Sequence, residues 1–218
     1  MDRYEIIQSL KEGGIIAIVR AEADVDTLLE TVAAVARGGV RCIEITMTSP
    51  GALECIARAT ERFTSDEVLI GVGSVLDAET ARHALLAGAQ YLVCPVTVET
   101  VIRMGHRYGK PVLPGAFTPT EIFQAWEYGG DLIKVFPATL GGLDYIKAVR
   151  APMPQIPLVP TGGVDAGNLR SFFEAGAAAV GVGSNLISSK LVQARDFKGL
   201  TENARQYADA LQGYRETL

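Results

Sequence analysis

The 218-residue chain reads as an α/β protein built as a (β/α)8 TIM barrel with an extra N-terminal helix, on three observations. Eight short runs rich in β-branched and apolar residues begin near positions 15, 42, 69, 91, 111, 132, 158 and 179. The 20 to 27 residues between successive starts each hold one amphipathic helix and two short turns. Most of those helices stop at a glycine: Gly38, Gly88, Gly109, Gly129 or Gly176. An open doubly wound sheet would carry fewer strands and a GxGxxG turn after the first, whereas here the first run ends in Val19-Arg20-Ala21. No linker or shift in composition divides residues 1–218, so a single domain is expected.

In chain order, residues 2–12 form a short helix with Ile6, Ile7 and Leu10 on one side and Gly13-Gly14 ending it. The first strand, IIAIVR, leads to a helix over 26–37; CIEITM is followed by a helix over 51–62, and LIGVGSV by one over 78–87. YLVCPV precedes a helix over 98–108, PVLPGA one over 119–128, and LIKVFP one over 142–149. LVPTGG precedes a helix over 166–175, and AVGVGS is followed by a last helix after residue 197. Pro95, Pro114, Pro137 and Pro160 lie near strand ends, where a missing N–H harms the ladder least. Gly71-Val72-Gly73-Ser74 recurs as Gly181-Val182-Gly183-Ser184, which suggests that something passes close to the backbone at both places.

Composition excludes several classes of function. With 48% hydrophobic and 21% charged residues and a net charge of -5, the chain has neither a basic patch nor a block of like charge, so no nucleic acid and no membrane partner is expected. The charged start Met1-Asp2-Arg3-Tyr4-Glu5 does not resemble a secretory signal, and no apolar run approaches the ~18 residues of a membrane span. Cys42, Cys55 and Cys94 show no CxxC spacing, so three free thiols and a cytoplasmic location are expected. His83 and His106 fall within helices beside Arg82 and Arg103 and read as solvated. With two histidines and no carboxylate cluster at the strand ends, neither a catalytic metal nor a cofactor is expected.

Two ionisable residues sit inside apolar strands. Lys134 lies within Leu132-Ile133-Lys134-Val135-Phe136-Pro137, where an ammonium is costly unless its stem lies along an edge or the amine has a task. Glu44 lies between Ile43 and Ile45. The two could form a compensating ion pair, but such a pair adds little net stability, because desolvation offsets the attraction. Burial disfavours the charged form of both groups, which suits an amine nucleophile and a proton carrier. Barrel active sites form at the C-terminal ends of the strands, which here carry Arg20, Thr46, Thr48, Ser74, Thr161 and two glycine-rich turns. Those turns, Gly162-Gly163 and Gly183-Ser184, with a helix start expected after them, read as a site for phosphate or a similar anion. Lys110 and Lys147 read as surface charges.

Taken together, the segments Arg20 after IIAIV, Gly38-Gly39 before Cys42-Ile43-Glu44-Ile45-Thr46, Gly71-Val72-Gly73-Ser74-Val75, Cys94-Pro95, Lys134-Val135-Phe136-Pro137-Ala138, Pro160-Thr161-Gly162-Gly163 and Gly183-Ser184 resemble the KDPG/KHG aldolases nearly end to end. The resemblance implies a class I, metal-independent aldolase that cleaves a 2-keto-3-deoxy-6-phospho sugar acid to pyruvate and glyceraldehyde 3-phosphate, with 4-hydroxy-2-oxoglutarate as a further substrate and a homotrimer as the usual assembly. It implies that Lys134 forms the Schiff base and that Glu44 transfers protons. Ser74 matches a hydroxyl position that holds the pyruvyl carboxylate, while Arg20, Gly162, Gly163 and Ser184 match positions that bind substrate anions. Pro95, Phe136, Thr161 and Gly183 belong to the same segments and are expected to contact substrate.

The chain departs from the pattern at Thr48, where gluconate-type members often carry an arginine as a second carboxylate clamp. A threonine lacks the bidentate fork of an arginine, so Thr48 and Ser74 with nearby backbone would hold the carboxylate instead. Two other readings stay open on the residues alone: a sugar-phosphate epimerase or isomerase in which Lys134 acts electrostatically, and a barrel that binds a sugar phosphate without turnover.

Overall fold

The computed structural model describes residues 1–217, and its first element is a plug. Helix α1 (Arg3–Gly13) opens with a capping box in which the Glu5 N–H donates to Asp2 Oδ1 at 2.8 Å and the Asp2 N–H donates to Glu5 Oε2 at 2.6 Å. Its buried side chains, Ile6 and Leu10, close the N-terminal end of the barrel.

The strands that follow are β1 (Ile15–Val19), β2 (Cys42–Thr46), β3 (Leu69–Gly73), β4 (Leu92–Val93), β5 (Val112–Leu113), β6 (Gly115–Ala116), β7 (Ile133–Val135), β8 (Leu158–Pro160) and β9 (Val180–Val182). Between them lie α2 (Val25–Arg37), α3 (Ala52–Arg62), α4 (Ala78–Leu86), α5 (Glu99–Arg107), α6 (Pro119–Glu127), α7 (Gly142–Arg150) and α8 (Leu169–Glu174), and after them α9 (Ser189–Gln193) and α10 (Phe197–Arg215). All pairings are parallel, with six strands in the order β5-β4-β3-β2-β1-β9 and three in the order β6-β7-β8.

The expected eight strands become nine because Pro114, which has no N–H to give to the ladder, splits the fifth run into β5 and β6. The Pro114 carbonyl still accepts from the Lys134 N–H at 2.9 Å, so the split does not open the sheet there. On the other side the Thr161–Gly181 bridge and a 2.9 Å bond from the Ala178 N–H to the Leu158 carbonyl join β8 to β9. The sheet therefore closes on itself as eight strand positions, which matches the expected barrel.

Both faces of the strands are buried, which explains why the runs are apolar throughout instead of alternating. Outward residues such as Ile43, Ile70, Leu92 and Ile133 pack under the helices against Leu28, Ile56 and Ile102. Inward residues Ile16, Cys42, Leu69, Tyr91, Leu132 and Val159 fill the lower barrel above Ile6 and Leu10. A period of two then puts Glu44, two residues after Cys42, and Lys134, two after Leu132, inside the barrel one layer higher.

Three expectations change. The seventh helix is shorter than residues 166–175, because Asp165 Oδ1 accepts from the Gly167 and Asn168 N–H groups, each at 2.9 Å, and holds the chain in a local turn until Leu169. The short helix α9 was not expected. His83 is exposed as read, but His106 is half-buried, with its Nε2 at 3.5 Å from Asp131 Oδ2. Asp131, whose side chain is 4% exposed, also takes Arg3 at 2.7 Å and the Val112 N–H at 2.8 Å, and so ties α1 to β5. Among the described residues no helix is long and apolar enough to cross a membrane.

Candidate active site

Glu44 and Lys134 are 2% and 6% exposed, yet neither side chain makes a hydrogen bond among the described residues. They are not a contact ion pair, since no charged atoms of the two come within 4.0 Å among the described residues. The Glu44 carboxylate lies over Gly73, where a Cβ would stand 2.8 Å from Glu44 Cδ, so glycine at this point makes room for the carboxylate. Burial holds the Glu44 carboxyl above its ordinary range, while Lys134 and Arg20 oppose that rise. The Lys134 ammonium stands over the Phe136 ring, 5.2 Å from its centroid. Buried Cys94 has its thiol pushed up to about 12 by desolvation, with Lys134 opposing and Glu44 reinforcing, so it stays protonated beside the pair.

The turn after β2 forms a hydroxyl cluster. Thr46 Oγ1 lies 2.9 Å from Thr48 Oγ1 and 3.4 Å from Ser49 Oγ, and Ser49 Oγ accepts from the Ala21 N–H at 3.2 Å. The residue after Arg20 is thereby fastened to the β2 turn, and Thr48 itself is exposed. Ser49 was missed from the sequence, where it reads as one more polar turn residue. Ser74 follows β3 with φ 59, a left-handed conformation that few non-glycine residues adopt and that often marks a functional turn. Pro95 is half-buried beside Gly115, where a Cβ would stand 2.8 Å from the Cys94 carbonyl oxygen.

A cavity of about 300 Å³ opens at the ends of β8 and β9. It is lined by Arg20, Thr161, Gly162, Gly163, Gly183 and Ser184, together with Phe136, which gathers seven of the expected site residues in one place. Gly162 and Gly163 have φ values of 97° and 73°, and no atom lies within 4 Å of where a Gly183 Cβ would be. At Gly181 the missing Cβ accommodates Thr161, whose own Cβ would be 3.1 Å away. Asn185 and Ser189 also line the cavity and were not foreseen, although Asn185 directly follows the Gly183-Ser184 turn; its Nδ2 donates to the Val164 carbonyl at 2.9 Å.

Glu44, Lys134, Thr48, Ser74 and Pro95 are not in this lining. Arg20 and Phe136 connect the two parts, since Arg20 lines the cavity and acts on the charge of Glu44, and Phe136 lines it and lies under the Lys134 ammonium. The helix start expected right after the turns is displaced, because α8 begins only at Leu169 and the short α9 only at Ser189. Backbone and hydroxyl groups, with Arg20, line the cavity where a helix terminus was expected. Larger hollows of about 420 and 610 Å³ flank α1, but they lie at the opposite end of the barrel from Glu44 and Lys134. Among the described residues no three His, Cys, Asp or Glu side chains are grouped to hold a metal.

Residues 6–203 match the KDPG and KHG aldolase family. The chain belongs to that family. It is 35% identical over 205 residues to the 2-dehydro-3-deoxy-6-phosphogalactonate aldolase of Escherichia coli (strain K12), covering 94% of this chain and 96% of that one. It is 33% identical over 202 residues to the 2-dehydro-3-deoxy-phosphogluconate aldolase of Treponema pallidum (strain Nichols), covering 92% and 95%. The fold is shared with the KDPG aldolase of Legionella pneumophila, solved with pyruvate captured as a covalent carbinolamine, at a TM-score of 0.83 and 23% identity over 91% of this chain and 96% of that one. As an aldolase of this family the protein is a carbon–carbon lyase, and the barrel mouth is where its residues can carry out such chemistry.

Proposed function

We propose that this aldolase, with residues 1–218 acting as one domain, cleaves a 2-keto-3-deoxy-6-phospho sugar acid of the gluconate or galactonate type to pyruvate and glyceraldehyde 3-phosphate. The reading rests on one observation: a buried lysine and a buried glutamate occupy the same barrel interior beside a cavity lined by a guanidinium, hydroxyls and glycine backbone. Lys134, in its unprotonated form, adds through Nζ to the C2 ketone, and uptake of one proton from solvent with loss of water from the carbinolamine leaves an iminium. The C3–C4 bond then breaks, its electron pair moving into the iminium to give an enamine, while the C4 hydroxyl gives its proton to Glu44 and the aldehyde departs. Glu44 returns the proton to C3, and water hydrolyses the resulting pyruvyl iminium to release pyruvate, the free amine and the proton taken up when the iminium formed. The raised proton affinity of Glu44 suits a group that takes and returns a proton at neutral pH.

The phosphate is assigned to Arg20, Gly162, Gly163, Gly183 and Ser184, and the pyruvyl carboxylate to Ser74, Thr48 and backbone near Pro95. Thr161 and Phe136 are assigned to the chain of the substrate between them. A cytoplasmic homotrimer is part of the proposal, and light scattering that gives a monomer mass would remove the trimer.

Borohydride reduction in the presence of pyruvate is expected to attach a 1-carboxyethyl group to Lys134, readable by peptide mass, and Lys134→Met should lose both the adduct and turnover. An unmodified Lys134, or a Met variant with normal turnover, would end the Schiff-base reading. Pyruvate release across gluconate-, galactonate- and hydroxyglutarate-derived substrates, with and without phosphate, then selects the substrate; no release from any of them would reject the proposal.

A further inference from the structure

Tyr91 is fully buried in the lower barrel, and the reaction above does not use it. Its hydroxyl has no hydrogen-bond partner among the described residues, a costly state that native proteins seldom leave unexplained. The position of the ring suggests a reason. A Cβ at Gly71 would stand 2.6 Å from the ring's Cδ2 and would strike Cε2 and Cζ as well, so the phenol end lies across β3 at Gly71. Gly71 is paired in register with Glu44 on β2, and the ring thus reaches the row from which the Glu44 side chain starts. Two residues further along the same face of β3, Gly73 backs that carboxylate. The two glycines are about 6–7 Å apart along the strand. No hydrogen bond joins their side-chain guests directly, and a bridging water is the partner that could serve both polar ends.

We propose that Tyr91 is a positioning residue for Glu44: its hydroxyl donates through one bridging water to the carboxylate, holding it against Gly73 and favouring its ionised form. The repeated Gly-Val-Gly of β3 then has a physical cause, one glycine admitting the phenol and the next the carboxylate. Burial keeps the Tyr91 phenol well above its ordinary range, so it remains a donor at any working pH. The other ionisable groups facing Glu44 are Lys134 from β7, Arg20 from the end of β1 and Cys94 after β4. Of the groups around Glu44, Tyr91 is the one whose hydroxyl can be removed with its ring left in place.

The kinetic half of this proposal rests on Glu44 as proton carrier, and the test separates the two. Infrared difference titration of protein with 13C-labelled glutamate carboxylates, the band assigned by its loss in Glu44→Gln, reads Glu44 without any turnover. Tyr91→Phe keeps every ring atom and is expected to raise the Glu44 midpoint by about one pH unit. The acid limb of kcat should move up by the same amount with KM nearly unchanged. An unchanged midpoint in a folded Tyr91→Phe protein overturns the proposal, whatever happens to turnover. A raised midpoint with an unmoved kcat profile supports the coupling and instead removes Glu44 from the proton-transfer role.

Discussion

Gly73→Ala tests the geometry of the site with one methyl group. The backbone there is not left-handed, so alanine is tolerated locally, and the whole effect comes from the Cβ, which would lie 2.8 Å from Glu44 Cδ. Carbon atoms rest at about 3.5–4.0 Å, so the carboxylate must withdraw by roughly 1 Å. A displacement of that size at a reacting group costs about 100-fold in rate, or ~2.7 kcal/mol of barrier. Overpacking adds a stability loss of about 1–3 kcal/mol, which a urea titration measures separately. The Lys134 amine is untouched, so pyruvate trapping by borohydride should persist while steady-state pyruvate release falls. A Gly73→Ala protein that is folded and turns over at the normal rate would show that the carboxylate does not work from its place over Gly73, and the role of Glu44 would fall with it.

Further outcomes are expected from other positions. Because burial raises the Glu44 pKa from its ordinary 4.5, the folded chain binds that proton more tightly than the unfolded chain, and stability falls as pH rises from about 4.5 through the raised value. Glu44→Gln should therefore match the wild type in acid and exceed it increasingly toward neutrality, by up to ~1.4 kcal/mol for each pH unit of that window; melting curves that differ equally at every pH would refute this. Asp131→Ala leaves the Val112 N–H and Arg3 without their partner and should cost about 2–4 kcal/mol in urea, with hydrogen exchange of α1 rising first. An unchanged midpoint would mean that the clamp at the barrel floor carries no net energy. Gly213→Ala, on the exposed side of α10 with no atom within 4 Å of the new Cβ, should stabilise by about 0.5–1 kcal/mol, and a lower melting temperature would count against that.

Much of the architecture was legible because each layer of this fold follows a local rule. Strands buried on both faces appear as short apolar runs, and helices between them show a 3.6-residue period that stops at glycine, so the serial βα pattern could be read without any long-range information. Lys134 and Glu44 stood out for the same reason, as ionisable residues in strands where every neighbour is buried. The limits are local too: Pro114 reads as a strand end but splits one strand into two, and Asp165 delays α8 by making its own turn.

The serial βα alternation, the parallel sheet it builds and the identity of the two embedded ionisable groups are properties of the sequence alone, because propensity and periodicity act between near neighbours. Tertiary structure decided which groups meet. It kept Glu44 and Lys134 apart instead of pairing them, since β2 and β7 lie on separate arcs of the barrel. It made the Gly-Val-Gly of β3 a floor for Tyr91 and Glu44, and that of β9 a recess for Thr161 beside an open cavity. His106, which reads as solvated on its helix, came to rest beside Asp131 because the last turn of α5 ends near the barrel floor that α1 closes. Contacts of this kind depend on strand register and barrel closure, which bring together residues far apart in the chain and leave no periodic trace in the sequence.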